Sequence, residues 1–324
     1  MKVIRKAALL FKSAALEWSN DKAPRLGASL SYYTIFSLAP VLLMVVAVAG
    51  LALGPQAAQG KIVGQLSGLL GVEAAKAIQT MLEKASPHGR GIVATVIGFV
   101  TLIVGATGVM IELQDALNTV WKVVPKPGRG IKGIIRDRLL SFGIVLGFGF
   151  LLLVSLVLSA AVALLDSWIG GVIPGWVLVG YVLSYGLSLG LVALVLAAIF
   201  KILPDVKIGW RDVWVGALVT SVLFHLGKFG ISLYISKASV ASTFGAAGSL
   251  AVLLVWIYYS SQIVLFGAEF TRVYANEYGS RVVADDNAIP VPETPLARAA
   301  MEKKIKDGEV PPSRSGNLPR PARP

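Results

Sequence analysis

Cysteine is absent from the 324 residues, so disulfides, thiolate nucleophiles and Cys-ligated zinc or iron–sulfur centres are excluded. Charge is sparse as well. Asp, Glu, Lys and Arg make up 15% of the chain against 55% in the hydrophobic set, the balance of a membrane protein rather than a soluble one. The sparseness is also uneven: from Leu26 to Leu53 no side chain is charged, and similar runs recur. A hydrocarbon core of roughly 30 Å is crossed by about 20 residues of helix, so each run is long enough to span it. Six spans are expected, over residues 26–53, 91–111, 139–165, 175–200, 213–236 and 246–268. The fold class is therefore all-α, a polytopic membrane domain over residues 26–275.

The net charge of +12 could mark a nucleic-acid partner, but the placement of the basic residues argues for topology instead. One side of the expected bundle carries six Lys and Arg in residues 1–25, six in 122–138, three in 201–212 and nine in 269–324. The other carries four in 54–90, none in 166–174 and one in 237–245. Under the positive-inside rule this asymmetry places both termini in the cytoplasm, and it survives when the distant C-terminal tail is discounted. The small residues Ala47-Val48-Ala49 resemble a signal-peptidase site. An uncleaved first helix fits better, because the charge-free run is about twice the length of a signal-peptide core and follows a long basic segment.

Residues 1–25 form a basic amphipathic segment. Ile4, Ala7, Phe11, Ala15 and Trp18 recur at helical spacing among Lys2, Arg5, Lys6 and Lys12, the pattern of a helix lying on an anionic cytoplasmic leaflet or of a short basic arm. In the first external loop, 54–90, Ile62, Leu66, Leu69 and Leu70, then Ala74, Ile78, Met81 and Leu82, predict two short amphipathic helices on either side of Gly71, packed onto the bundle. Gly143 and Gly147, and Gly186 and Gly190, have the spacing that lets membrane helices approach closely. Pro40, inside the first span, removes a helical hydrogen bond and is the hinge candidate. Residues 276–324 make a cytoplasmic tail whose composition turns proline-rich and charged from about residue 283, as a disordered segment does.

Ionisable groups inside hydrocarbon are costly, so those within spans are the best pointers to function. Ser221, His225, Lys228 and Ser232 share one face of the fifth span, with His225 roughly 18 Å and Lys228 roughly 23 Å along the helix from residue 213. Either they line a substrate path, or Lys228 snorkels outward and His225 is a satisfied interior residue. The sixth span adds Tyr258, Gln262 and Glu269 on a single face. Glu112, Asp115 and Asn118 lie about a turn apart at the inner end of the second span, as acid/base or cation-binding groups or as partners of Arg136, Arg138, Arg211 and Arg272. In the first span Ser29, Tyr32, Tyr33, Phe36 and Pro40 share a broad face, for ligand contact or for packing. Burying these faces together would keep them out of lipid and create a polar cavity. Lys228 and His225 without a carboxylate at comparable depth favour an anionic small molecule or lipid headgroup.

Several ordered motifs give the chain a family resemblance over most of residues 20–275. They are Gly27-Ala28-Ser29-Leu30-Ser31-Tyr32-Tyr33-Thr34 through Ser37-Leu38-Ala39-Pro40; Leu113-Gln114-Asp115-Ala116-Leu117-Asn118-Thr119-Val120-Trp121; Leu203-Pro204-Asp205 with Val215-Gly216-Ala217; and Val255-Trp256-Ile257-Tyr258-Tyr259 with Leu265-Phe266-Gly267-Ala268-Glu269. The chain resembles the YihY/BrkB family of bacterial inner-membrane proteins. That resemblance implies six membrane helices with cytoplasmic ends, and a transport or envelope-lipid role. Some relatives carry a ribonuclease label, which the residues here do not support. A metal-dependent ribonuclease needs clustered His and carboxylate ligands, whereas His88 lies outside, His225 lies in the membrane, and neither can join Asp115. No RNA-binding module, phosphate loop or Walker-type sequence is present.

The sequence thus predicts no enzyme, no catalytic residue, no metal and no cofactor. It predicts a transporter or lipid-translocating protein with membrane lipids as partners, or else a non-catalytic membrane scaffold.

Overall fold

The computed structural model describes residues 2–70, 72–85, 108–126, 176–237 and 248–292, together with positions 154 and 301. Eight helices occur among them: α1 (Lys2–Asn20), α2 (Ala23–Leu53), α3 (Pro55–Leu70), α4 (Val72–Ala85), α5 (108–120), α6 (Trp176–Ile202), α7 (Trp210–Lys237) and α8 (Gly248–Tyr278). Helices α2, α6, α7 and α8 fall on four of the expected spans. The other two, 91–111 and 139–165, lie outside the described residues apart from position 154 and the first turn of α5.

The stretches Tyr185–Ile202, Trp210–Ile235 and Leu250–Tyr278 are long and apolar enough to cross a membrane. Helix α2, with 31 residues, is roughly 46 Å long at about 1.5 Å per residue, and it runs on as one helix through position 40. The break after it is sharp. Gly54 adopts a φ of 81°, a conformation that suits glycine, and the next helix starts at once with Pro55 at its first position.

In lipid there is no water to expel, so helices associate by close packing and by hydrogen bonds between them. Helices α7 and α8 show both. A methyl group placed on Gly216 would collide with Thr271, and one on Gly267 would collide with Thr220. Each threonine turns its hydroxyl back to the glycine one turn earlier on its own helix, Thr220 to Gly216 O at 2.7 Å and Thr271 to Gly267 O at 2.6 Å. The two Gly-x-x-x-Thr units therefore interlock reciprocally and fix an antiparallel register. By contrast, no described atom lies within 4 Å of a methyl group added at Gly186 or Gly190, so their spacing does not mark a contact among the described residues. Of the two, the Gly-x-x-x-Thr units meet a partner helix with matching gaps among the described residues, although the glycine spacing in the sequence pointed to the other pair. Gly143 and Gly147 lie outside the described residues.

Helix α8 packs on α2 and α7, and α7 packs on α6. Two apolar clusters sit at opposite ends of this row. At one end Leu30, Leu117, Val120, Trp121, Phe200, Leu203, Val213 and Leu265 join α2, α5, α6, α7 and α8 in a single core. At the other, Ile62, Leu66, Ile78 and Leu82 of α3 and α4 pack against Leu42, Ile231, Ile235, Leu253 and Trp256. The two loop helices therefore sit on the bundle.

Two expectations are corrected. Helix α1 turns toward the bundle the side that carries Leu10, Ala14, Phe11 and Trp18; Leu10 and Ala14 are buried, while Ala7 and Ala15 are exposed. The reason is its partner. Phe11 lies against Phe266 and Phe270 of α8, with ring centroids 6.1 and 5.0 Å away, so the helix docks on protein rather than on lipid alone. Regular structure also continues further along the chain than composition suggests. Residues from 283 form β3 (Val283–Ala284), paired antiparallel with β2 (Val206–Lys207), and β4 (Ala288–Pro290), paired with β1 (Val123–Pro125). Ala288 and Ile289 are buried, so the apolar step inside a charged segment is what anchors it.

Candidate functional site

Both mini-sheets, the C-terminal end of α8 and the α1–α2 turn meet at the same end of the bundle, and there the charged side chains collect. Glu17 of α1, Asp21 of the turn, Lys122 just after α5, and Glu269 and Arg272 of α8 form one network. The Arg272 guanidinium donates to Glu17 Oε2 at 2.6 Å and to Glu269 Oε2 at 2.9 and 3.2 Å. Lys122 Nζ bonds Asp21 Oδ1 and lies 3.4 Å from Glu17 Oε2. The Glu269 side chain is fully buried, and that of Arg272 is 12% exposed. Although burial works against ionisation of Glu17, Arg272 and then Lys122 outweigh it and hold its carboxyl below the usual carboxylate range.

Two oxygens in this network, Asp21 Oδ2 and Glu269 Oε1, are buried without a hydrogen-bond partner. One ligand oxygen from each of Glu17, Asp21 and Glu269 lies within 4.8 Å of the others. The backbone is strained beside them. Lys22 and Lys122 sit at φ 53° and 56°, left-handed conformations that non-glycine residues adopt at a cost of about 1 kcal/mol or more.

A second set of contacts ties the neighbouring loops. Asn118, buried on α5, accepts from Asp205 N and donates to Asp205 Oδ2, both at 2.9 Å, clamping the turn between α6 and α7. Glu112 is half-buried and Asp115 exposed on the same helix. Although its side chain reaches solvent, desolvation by the surrounding protein, with Glu112 and Asp205 nearby, raises the Asp115 carboxyl above its ordinary value. Asp212, buried in the first turn of α7, accepts from Ser280 N and Oγ at 2.7 Å while its charge complements the helix dipole. Lys207 meets Asp286 at 2.8 Å across β2 and β3.

The mid-membrane candidates point to different helices. His225 of α7 is buried toward α6: its Nε2 lies 3.3 Å from Ser188 Oγ, its Nδ1 lies 2.9 Å from Ser221 O, and the Tyr185 ring is 5.5 Å away. Ser221 donates to Leu189 O at 2.8 Å. Gln262 of α8 turns the other way and lies over Gly27 of α2, with Nε2 3.5 Å from Ala23 O and Oε1 buried without a partner. Lys228 and Tyr258 are half-buried, and Ser232 is exposed. Tyr32, Tyr33 and Phe36 stand together on α2, 60%, 42% and 65% exposed among the described residues. Among these candidates, the structure joins Asn118 to the loop clamp and Glu269 to the ion network; it does not gather His225, Gln262 and Tyr32 in one contact.

Glu17, Asp21 and Lys122 are the network members that helix-face reasoning missed. A signal existed, because Glu17 and Asp21 are the two acids of an otherwise basic segment and stand one helical turn apart.

Residues of the motifs that carry the family resemblance largely meet at this end: Asn118 and Trp121, Asp205, Gly216, Gly267 and Glu269. The chain is 29% identical over 274 residues to a UPF0761 membrane protein of Ralstonia nicotianae, covering 82% of this chain and 58% of that one. It is 31% identical over 194 residues to another of Methylibium petroleiphilum, covering 59% and 44%. A third, of Pseudoalteromonas translucida, is 28% identical over 250 residues, covering 76% and 80%. The first two relatives are thus about twice as long as the region they share with this chain. No solved structure matches. The sequence model of the family described as Virulence factor BrkB matches residues 14–289, a span that takes in the ion network, all the helices from α2 to α8 and both mini-sheets except Pro290, and the chain is an integral membrane protein belonging to that family.

Proposed function

We propose that this chain is a transporter or lipid-translocating protein of the bacterial inner membrane, acting on an anionic small molecule or lipid headgroup, with both termini in the cytoplasm. The supporting observation is a half-buried Lys228 one turn from a buried His225, on an apolar helix and between Phe224 and Ile231 of the apolar cluster that α3 and α4 join. A cationic side chain and an imidazole on one face of a helix within hydrocarbon are rare, and such groups mark paths for charged substrates. The core around Leu117, Phe200 and Leu265 then seals the cytoplasmic end of the path, and motion of that end opens it. The proposal assigns the chain no covalent chemistry and no cofactor.

A second reading draws on the contacts of His225, Ser221, Gln262 and the α7–α8 threonines, each of which joins two neighbouring helices or braces a helix crossing. On that reading the chain is a membrane scaffold, and its polar residues only hold helices together. Reconstitution separates the two. In vesicles of phosphatidylethanolamine and phosphatidylglycerol, transport predicts movement of fluorescent phosphatidylglycerol, or of a radiolabelled anion from a small panel, above that of empty vesicles. Lys228→Leu should lower it at least tenfold while leaving the folded yield unchanged. Absence of flux for every probe, together with a stable co-purifying protein complex, would establish the scaffold instead.

A further inference from the structure

The carboxylates of Asp21 and Glu269 face each other at the buried centre of the ion network, and each keeps one oxygen that no donor reaches. We infer that these two carboxyl groups share a single exchangeable proton, making a proton-binding site where α1 and α8 meet. Three carboxylates, from Glu17, Asp21 and Glu269, are matched by two cations, Lys122 and Arg272, which leaves one negative charge uncompensated in a place where Glu269 is fully buried. The two cations are already committed. Arg272 spans Glu17 Oε2 and Glu269 Oε2, and Lys122 holds Asp21 Oδ1 and approaches Glu17, so neither supplies a hydrogen to Asp21 Oδ2 or Glu269 Oε1. Two buried acceptors with no donor repel each other, and each carries a desolvation penalty that no hydrogen bond offsets.

One proton resolves both problems at once. Taken up from water as α1 docks, it converts one carboxyl to a donor, which then bonds the other carboxylate, and it brings the network to neutrality. No other bond forms or breaks. A monovalent proton fits the deficit, whereas a divalent metal ion would overshoot it beside Lys122 and Arg272. The groups that set the affinity come from every element at the site: Glu17 and Asp21 from α1 and its turn, Lys122 from the end of α5, and Arg272 from α8 itself. The site stands whether or not the chain carries a substrate, because it depends only on how α1 closes on α8.

Infrared difference spectroscopy of the full chain in lipid tests it. At neutral pH the wild type should show the carbonyl stretch of a buried protonated carboxyl, fading only as the medium is made alkaline, and losing its intensity in Glu269→Gln and in Asp21→Asn. Gln keeps the size and the hydrogen bond of the protonated acid, so Glu269→Gln folds and isolates the loss of the titrating proton. A band that survives in both variants belongs to another residue and overturns the inference. A wild-type spectrum without the band, combined with stabilisation by sodium or calcium chloride that Glu269→Gln abolishes, overturns it in favour of a metal cation.

Discussion

At Arg272 one guanidinium serves two carboxylates that come from opposite ends of the sequence, Glu17 lying 255 residues away. Removing one partner of a buried ion pair leaves the other charge uncompensated, at a typical cost of about 3–5 kcal/mol. Arg272→Leu should therefore destabilise the purified protein by about that much in denaturant unfolding in detergent. Adding Glu269→Gln should recover part of the loss, since the second change removes one of the two orphaned charges; no recovery would mean that Arg272 acts through packing of its stem instead. Glu269 stood out in the sequence because a carboxylate within an apolar helix has few explanations. Glu17 and Asp21 did not, because helical spacing tells which residues share a face but carries no information about a contact between the first helix and the last. His225 illustrates the same limit: its burial could be read from its surroundings, whereas its turn toward Ser188 of α6 depends on how neighbouring helices are ordered.

At the scale of elements, the span helices were legible because hydrocarbon thickness sets their length, and α3 and α4 were legible because each carries an apolar stripe that must be covered. The crossing of α7 on α8 was written in the sequence less openly. Gly216-x-x-x-Thr220 and Gly267-x-x-x-Thr271 mean little alone and become specific only as a pair, when each glycine receives the other helix's threonine. Gly267→Ala should thus push Thr220 away and destabilise the protein by about 1–3 kcal/mol, the usual cost of overfilling a tight contact. Thr220→Ala in the same chain should restore part of that stability in thermal melts, because it removes the hydroxyl and methyl that the new group meets first and leaves only the Cβ in close approach. If Gly267→Ala melts like the wild type, the helices cross elsewhere. The short strands escaped the sequence reading for a different reason. Two or three residues hold no periodicity, and proline-rich surroundings argued against order, yet Ala288 and Ile289 are buried and pair with the chain after α5.

For the whole molecule, the arrangement of ends matters more than any single contact. Helix α1, the chain after α5, the α6–α7 turn and residues 279–292 are joined at one end by the Lys122–Asp21 and Arg272–Glu17 pairs and by both mini-sheets. Helices α3 and α4 cover the other end, against Ile231, Ile235 and Leu253. Taken together, the described segments at the first end hold most of the Lys and Arg of the described residues, so the charge asymmetry and the packing divide the molecule the same way. Membrane insertion favours keeping such segments in the cytoplasm. The lack of cysteine makes this testable with single introduced thiols. Asn20→Cys and Glu277→Cys, both at exposed positions of the first end, should react with a membrane-impermeant maleimide only after cells are permeabilised. Gln56→Cys, exposed at the start of α3, should react in intact cells once the outer membrane is breached. The reverse pattern would invert the molecule, move Glu17, Asp21, Lys122 and Arg272 to the outer face, and place the shared proton in equilibrium with the external medium rather than with the cytoplasm.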